Sequence, residues 1–336
     1  MLTDIESNIM YANPAMERQS GYSREELRSK NTRILGSEQT PKMVYTAMWQ
    51  SLQAQKSWMG ELINEHKDGH TYDVAVTITP IVDDAGSVTG FVSVHSDITR
   101  LKELERLKTE FIANVSHQLR TPLTNIKTYV SLLKKGKPEK FPRYFSVLHY
   151  EIDRLARLIQ DLLDISRLDA QKAPNPDAAV DLVDFWQEFW PQFEERAERE
   201  NRTLQISFPS ELAAQSPTLF MESFQLEKIL SRLVDNGLAY TDEGGQIQVA
   251  VLGQPTSNDM LNIQVCDDGP GIPEEERPFI FDRFFRGAEA VDSGTSGNGL
   301  GLAIVKELLD LYGGEITLET EPGEGSCFTL SLPLVQ

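Results

Sequence analysis

The sequence predicts a multidomain α+β protein, because three stretches of the chain carry three different hydrophobic patterns. Residues 1–98 alternate short apolar runs with turn signals, residues from Ile98 to about Leu168 follow a helical period, and the stretch from residue 181 onward alternates helices with strands. The length of 336 residues suits two or three domains better than one.

Composition excludes several classes of protein. A net charge of −19 argues against a nucleic-acid binder, which needs clustered Lys and Arg. Cys266 and Cys327 lie far apart without a CxxC or Cys/His cluster, so we predict neither a disulfide framework nor a zinc site, as suits a reducing cytoplasm. No run approaches the roughly 18 apolar residues of a membrane span and no leader opens the chain, so we expect no membrane segment in it and a cytoplasmic location.

One segment runs against the acidic balance. Between Arg100 and Arg143 the chain has 11 basic and 4 acidic residues, a net of +7 against −19 for the whole chain. Two interpretations stay open: an ordinary solvated helix face, or a surface that attracts an acidic partner.

Residues 1–98 predict a mainly antiparallel sheet with helices over one part of it. The run from Tyr72 to Ile78 has period two, and turn signals stand at Lys67–Gly69 and Asp83–Gly86. The runs TDIESNIMYANPAMERQSGYSREEL, KDG and DIT resemble a PAS sensor domain over nearly its whole length. The usual first strand of that family begins earlier than Met1, so we expect the chain to be trimmed at the front.

The next region predicts two long helices. Apolar residues recur at three- and four-residue spacing at Leu101, Leu104, Leu107 and Phe111. They predict a coiled-coil linker at 99–110, with a single amphipathic helix packed on a domain as the alternative. Helical signal breaks at Gly136–Pro138 and at Phe141-Pro142 and resumes at Arg143. Residues 111–172 are therefore a predicted helical hairpin, which buries its apolar face best as a four-helix bundle in a homodimer.

The first helix of this hairpin carries FIANVSHQLRTPLTNI, from Phe111 to Ile126. This run, with a proline five residues after the histidine, closely resembles the phosphoacceptor box of bacterial sensor histidine kinases. The resemblance implies that His117 is the nucleophile and that Thr121 orients a water when the partner is dephosphorylated. Gln118 stands where the family has a carboxylate; an amide cannot take the imidazole proton, so we expect slow autophosphorylation, and Gln118 could assist that same water.

After a Pro-rich linker at 173–180, residues 181–336 predict a two-layer α/β sandwich. Its helices are expected at about 181–200, 222–240 and 298–312. Its strands are expected near 204–208, 246–252, 261–267, 315–320 and 326–332. It resembles the ATP-binding domain shared by histidine kinases, chaperones and topoisomerases.

Two motifs of this domain resemble the family's Asn box and first glycine box. In LEKILSRLVDNGLAYT, Asn236 is the implied Mg²⁺ ligand and Tyr240 the family's aromatic residue. Arg232 and Ala239 replace a second Asn and a Lys. In VCDDGPGI, up to Ile272, the implied adenine acceptor is Asp267, and two glycines free the backbone beside the ligand: Gly269 and Gly271.

A third motif resembles the second glycine box, which cradles phosphates at a helix start. It follows an aromatic segment at 281–285 and a loop at about 287–296 that would be the ATP lid. Its spacing fits neither a Rossmann nor a P-loop motif. The nucleotide contacts implied here are Phe281, Gly297, Gly299, Leu300 and Gly301.

Taken together, the resemblance implies autophosphorylation of His117 with ATP and Mg²⁺, phosphotransfer to an aspartate of a response-regulator receiver domain, and phosphatase activity on that regulator. An ATP-binding signalling scaffold with weak or no kinase activity is the alternative, motivated by Gln118, Arg232 and Ala239. An ATPase of the same superfamily that drives conformational change is a further alternative, against which the full histidine box argues. The signal remains open: Thr32 replaces the Cys of flavin photosensors, and three histidines are haem-ligand alternatives, His66, His70 and His95.

Overall fold

The computed structural model describes residues 1–170, 173–252, 259–288 and 297–335. The chain divides into two units, Met1–Ala113 and Asn114–Gln336, which are considered separately below. Among the described residues, no helix is both long enough and apolar enough to cross a bilayer.

A five-stranded antiparallel sheet of order β2-β1-β5-β4-β3 frames the first unit. Its strands are Leu2–Asp4, Ile9–Tyr11, Trp58–Glu65, Thr71–Val82 and Val88–Asp97, numbered β1 to β5. Helices α1 to α3 span Pro14–Ser20, Arg24–Leu27 and Lys42–Gln53, with a 3₁₀ turn at Thr32–Leu35. The predicted antiparallel sheet is confirmed, and alternate β4 residues are buried as its period requires: Tyr72, Val74 and Val76.

Two long antiparallel helices follow. Helix α4 spans Thr99–Lys135 without interruption, so the predicted linker at 99–110 is part of the same helix that carries Pro122. Helix α5 spans Phe141–Ala170 after a 3₁₀ turn at Pro138–Lys140. The predicted break at Phe141-Pro142 was wrong, because Pro142 lies in the first turn of α5, where a missing N–H removes no helical hydrogen bond.

The rest of the second unit is a sheet covered by helices. Its five-stranded sheet has the order β11-β12-β10-β9-β7, antiparallel except that β7 runs parallel to β9. The strands, including a short β6–β8 pair, are Val180–Asp181, Thr203–Ser207, Thr218–Leu219, Gln246–Leu252, Met260–Asp267, Glu315–Glu321 and Gly325–Pro333, numbered β6 to β12. Helices α6 to α10 are Leu182–Phe189, Pro191–Arg199, Ser210–Ala213, Ser223–Tyr240 and Gly301–Tyr312, and Arg277–Phe279 is a 3₁₀ turn.

The predicted α/β sandwich is confirmed, with one helix divided. The single helix expected over 181–200 is α6 and α7, because Pro191 begins a new helix instead of continuing the first. Helix α9 packs one apolar stripe onto the sheet, and its fully buried residues recur at helical spacing: Leu226, Ile229, Leu230, Leu233 and Val234. That stripe fixes the rotation of α9 and so the direction in which Asn236 points.

The two cysteines correct the sequence-based expectation. Cys266 of β10 lies directly opposite Cys327 of β12, and a disulfide joins them. The 61-residue separation hid this pairing, because only the sheet register brings the two side chains together. Since cytoplasmic thiols are usually reduced, this pair no longer supports a cytoplasmic location.

Candidate active site

A cavity of about 530 Å³ opens between the end of α9 and the loop after β10. Six of the residues that the sequence singled out line it together: Asn236, Tyr240, Asp267, Gly269, Gly271 and Ile272. Sequence analysis missed several other lining residues, among them Arg202, Ile280, Arg286 and Leu302. The sequence around these residues carries no distinctive pattern, and only the fold shows that they share this cavity.

Asp267 is a half-buried carboxylate of the cavity, at the last residue of β10. Its Oδ1 accepts a hydrogen bond from the backbone N–H of Gly269 at 3.0 Å. Burial raises the pKa of the Asp267 carboxyl to about 6, and the neighbouring Asp268 charge acts in the same direction, while backbone donors at Gly269 and Ser326 oppose it. Because this carboxylate has lost contacts with water on burial, hydrogen bonds donated by a ligand would stabilise it.

Both glycines of this loop are required by close contacts. A Cβ on Gly269 would lie 2.8 Å from Asp267 Oδ1 and 3.1 Å from the carbonyl oxygen of Tyr240. Gly271 has a φ of +72°, and a Cβ there would clash with the carbonyl oxygen of Glu321. The glycines therefore let the loop fold tightly over the cavity floor.

A second cleft, of about 350 Å³, separates the helical hairpin from the sandwich within the unit Asn114–Gln336. Gln118 and Pro122 of α4 line one side, and Arg154 and Arg157 of α5 continue it. The sandwich contributes Asn236 and Tyr240, which also line the first cavity, together with three residues of the last glycine motif: Gly297, Gly299 and Gly301. The residue next to His117 therefore shares a cleft with the nucleotide-site candidates.

His117 itself lines neither cavity. Its side chain is exposed on α4, and so is that of Thr121, whose hydroxyl donates to the carbonyl oxygen of His117 at 3.4 Å. Gln118 is half-buried and faces the cleft. The structure thus places the amide of the box, and not its imidazole, against the sandwich.

The last glycine motif forms the start of α10. Gly299 has a φ of +71°, and its carbonyl oxygen accepts from the backbone N–H of Phe284 at 2.7 Å. Leu300 is fully buried and Phe281 is half-buried, and neither residue lines either cavity. In the predicted lid loop, residues 289–296 lie outside the described part of the chain.

A set of ion pairs that the sequence did not reveal joins α5 to the sandwich. The buried carboxylate of Asp161 accepts from Arg232 of α9 and, at 2.5 Å, from the side-chain amide of Asn298. Two further pairs extend the row: Lys228 with Asp164 at 2.9 Å, and Arg283 with Asp169 at 2.6 Å. Arg232, which departs from the family pattern, is therefore the cation that neutralises a buried carboxylate.

The first unit contains a cavity of its own, of about 510 Å³. It has an apolar wall that includes Trp49 and Phe91, with Arg33 and Asn64 among its polar residues. Of the three histidines considered as haem ligands, only His95 lines it. Burial lowers the pKa of His95 to about 4, so this imidazole is neutral at pH 7.

Comparison with known families covers most of the chain. Residues 1–98 match the PAS fold, residues 107–171 the His Kinase A (phospho-acceptor) domain, and residues 221–336 the histidine kinase-, DNA gyrase B-, and HSP90-like ATPase family. The chain is 32% identical over 286 residues to the sensor protein kinase WalK of Staphylococcus aureus, an alignment that covers 81% of this chain and 67% of that protein. The chain belongs to the sensor histidine kinases.

Other sensor kinases align over different shares of their length. The alginate biosynthesis sensor protein KinB of Pseudomonas aeruginosa is 30% identical over 340 residues, which is 99% of this chain and 54% of KinB. The chain spans about half the length of KinB and of the sensor histidine kinase WalK of Bacillus subtilis. The structure of the Acinetobacter baumannii histidine kinase AdeS superimposes with a TM-score of 0.50 at 22% identity, covering 66% of this chain and 98% of AdeS, and it supports the fold.

Arg232→Gln should loosen the docking of α5 on the sandwich of this sensor kinase. The substitution leaves Asp161 buried without its cation, which costs about 3–5 kcal/mol in comparable sites. The double variant Arg232→Gln/Asp161→Asn should recover most of the docking, because it removes the uncompensated charge as well. Small-angle X-ray scattering would measure the change as a larger radius of gyration for the single variant.

Arg199→Gln is the matched control, because the ion pair that Arg199 makes among the described residues is with exposed Glu195 on its own helix. An unchanged radius of gyration for Arg232→Gln, or the same increase for Arg199→Gln, would contradict a docking role for the Arg232–Asp161 pair.

Proposed function

We propose that this chain is an ATP-dependent protein histidine kinase that phosphorylates its own His117. The observation that carries the proposal is the cleft lined both by Gln118, from the phosphoacceptor box, and by Asn236, from the nucleotide cavity. A phosphoryl donor held in that cavity would face the segment of α4 that carries the acceptor.

The nucleotide cavity offers the chemical groups that ATP requires. Asp267 accepts the amino hydrogens of adenine, and the glycine loop after it allows a flat ring to approach the backbone. Backbone N–H groups of the glycines at the start of α10, Gly297, Gly299 and Gly301, would bind the phosphates. The amide oxygen of Asn236 is a hard ligand suited to Mg²⁺, which would neutralise phosphate charge when bound.

In the transfer step, a neutral imidazole nitrogen of His117 attacks the γ-phosphorus. A phosphorus–nitrogen bond forms while the bond to the β–γ bridging oxygen breaks, and ADP leaves with that electron pair. Gln118 can hold the ring by a hydrogen bond but cannot take its proton, which therefore passes to solvent. In a separate reaction, Thr121 and Gln118 position the water that dephosphorylates the partner.

The phosphoryl group then passes to an aspartate of a response-regulator receiver domain. The net positive segment between Arg100 and Arg143 supports this choice, because a receiver presents an acidic pocket. We place catalysis in the cytoplasm because ATP is supplied there, and not on the ground of the cysteines, which are joined in a disulfide. One of the three observations behind the scaffold alternative no longer supports it, because Arg232 has a structural partner in Asp161.

We also propose that the hairpin forms a homodimer. Helix α5 has two apolar faces, and Leu148, Leu158 and Ile165 are buried on one of them. The other face is exposed and repeats every seven residues, at Phe145, Ile152 and Ile159. A heptad of uncovered apolar side chains is what a second copy would cover in a four-helix bundle.

His117→Gln should abolish covalent phosphate and leave nucleotide affinity unchanged, because residue 117 lines neither cavity. Incubation with γ-labelled ATP should give acid-labile, base-stable label on the wild-type chain and none on His117→Gln. His149→Gln is the control, since His149 is another exposed histidine of the hairpin. Label retained on the His117 variant would refute the assignment.

Nucleotide affinity should fall as the pH is lowered from about 7 to about 5. The raised pKa of about 6 means that Asp267 takes up a proton in this window and loses acceptor strength. The same shift means that protonation in this window stabilises the ligand-free fold, a contribution lost as pH rises through about 6. ADP binding measured by calorimetry should show the pH effect in wild type and a flatter profile in Asp267→Asn, whereas parallel profiles would assign the titration to the phosphates alone.

Ile152→Glu should convert the chain from dimer to monomer, because the new carboxylate would have to lose water in an apolar seam. Sedimentation equilibrium measures the change. Ser146→Glu, on a different side of α5, adds the same charge and should leave the dimer intact. A dimer that tolerates Glu at position 152 would mean that the exposed heptad is not the interface.

A further inference from the structure

The turn between β3 and β4 carries three side chains with metal-binding atoms. His66 and His70 lie on either side of Asp68, and the backbone closes the turn with a hydrogen bond from His66 N–H to the carbonyl oxygen of His70 at 2.8 Å. Gly69 supplies the positive φ, +94°, that this tight turn needs. The two histidines are therefore held side by side by the hairpin register.

The three side chains already converge. The imidazole rings of His66 and His70 stack with centroids 4.4 Å apart and planes 19° apart. Asp68 Oδ1 lies 2.9 Å from Nδ1 of His66 and 2.5 Å from Nδ1 of His70. In the part of the chain that the structure describes, this is the one group of three or more such side chains whose ligand atoms all lie within 4.8 Å of one another.

We propose that this turn binds a divalent transition-metal ion of the Zn²⁺ class. Two imidazole nitrogens and one carboxylate oxygen suit Zn²⁺, Co²⁺, Ni²⁺ and Cu²⁺, whereas Mg²⁺ and Ca²⁺ prefer oxygen alone. A small opening of the Nδ1–Oδ1–Nδ1 arrangement would accommodate ligand bonds of about 2.0–2.2 Å. Asp68 and His70 are exposed, so water can complete the coordination shell.

The ion would act on the fold of the sensor domain through its neighbours. The ring of His66 packs over Gly21, the left-handed residue that ends α1. Lys67 donates its N–H to the carbonyl oxygen of Ser20 at 3.0 Å and pairs with Glu26 of α2. A bound ion would fix the turn against the ends of both helices, as an input separate from the apolar cavity, which neither His66 nor His70 lines.

Calorimetric titration of the full chain with ZnCl₂, without nucleotide, tests the site. We expect one ion per chain, a loss of roughly tenfold or more in affinity for His70→Ala and for Asp68→Asn, and no binding of Mg²⁺ at this turn. His70 is 60% exposed, so its removal leaves no core cavity. Zinc should also raise the Tm of wild type and not that of His70→Ala, because only a ligand bound to the folded state stabilises it.

His149→Ala is the matched control, an exposed histidine on the hairpin that should leave zinc affinity unchanged. Zinc affinity in His70→Ala equal to that of wild type would overturn the proposal, as would an equal loss in His149→Ala. Asp68 would then only bridge the two imidazoles by hydrogen bonds.

Discussion

The buried carboxylate of Asp161 sets the arrangement of the kinase unit. It accepts from Arg232 on α9 and from Asn298 in the last glycine motif, so one side chain of α5 holds both the helix that carries Asn236 and the segment that begins α10. A carboxylate out of water requires such partners. The cleft that Gln118 shares with Asn236 exists because this contact keeps α5 against the sandwich.

The contact between α5 and the sandwich includes a row of ion pairs. Buried ion pairs add little net stability, because the charges recover their hydration when the surfaces separate. They nevertheless favour one pairing, because a buried charge without its partner is costly. An apolar seam of the same size would hold the sandwich on α5 more tightly and with less directional preference. The outer pair of Arg283 with Asp169 is more exposed and adds orientation rather than strength. The row of pairs therefore favours one docked position that can be left again.

The sequence predicted the parts of the molecule that local patterns encode. The fold class followed from hydrophobic periods, and Asp267, Gly269 and Gly271 are positioned by a turn that a few consecutive residues specify. Contacts between distant segments were not predictable in this way. Asp161 reads as one polar residue on a helix, and Cys266 meets Cys327 only through the register of β10 and β12. Pro142 and Pro191 were ambiguous because proline both ends one helix and begins the next.

The position of His117 bears on how transfer proceeds. Successive residues of an α-helix point about 100° apart, so with Gln118 facing the cleft the imidazole of the same chain points away from it. Attack by this His117 on a nucleotide held in the same sandwich would therefore require the imidazole to turn toward the cleft, and such a turn would move Gln118 from its present position. Gln118 thus marks the face of α4 that the docked arrangement turns toward the sandwich of the same chain.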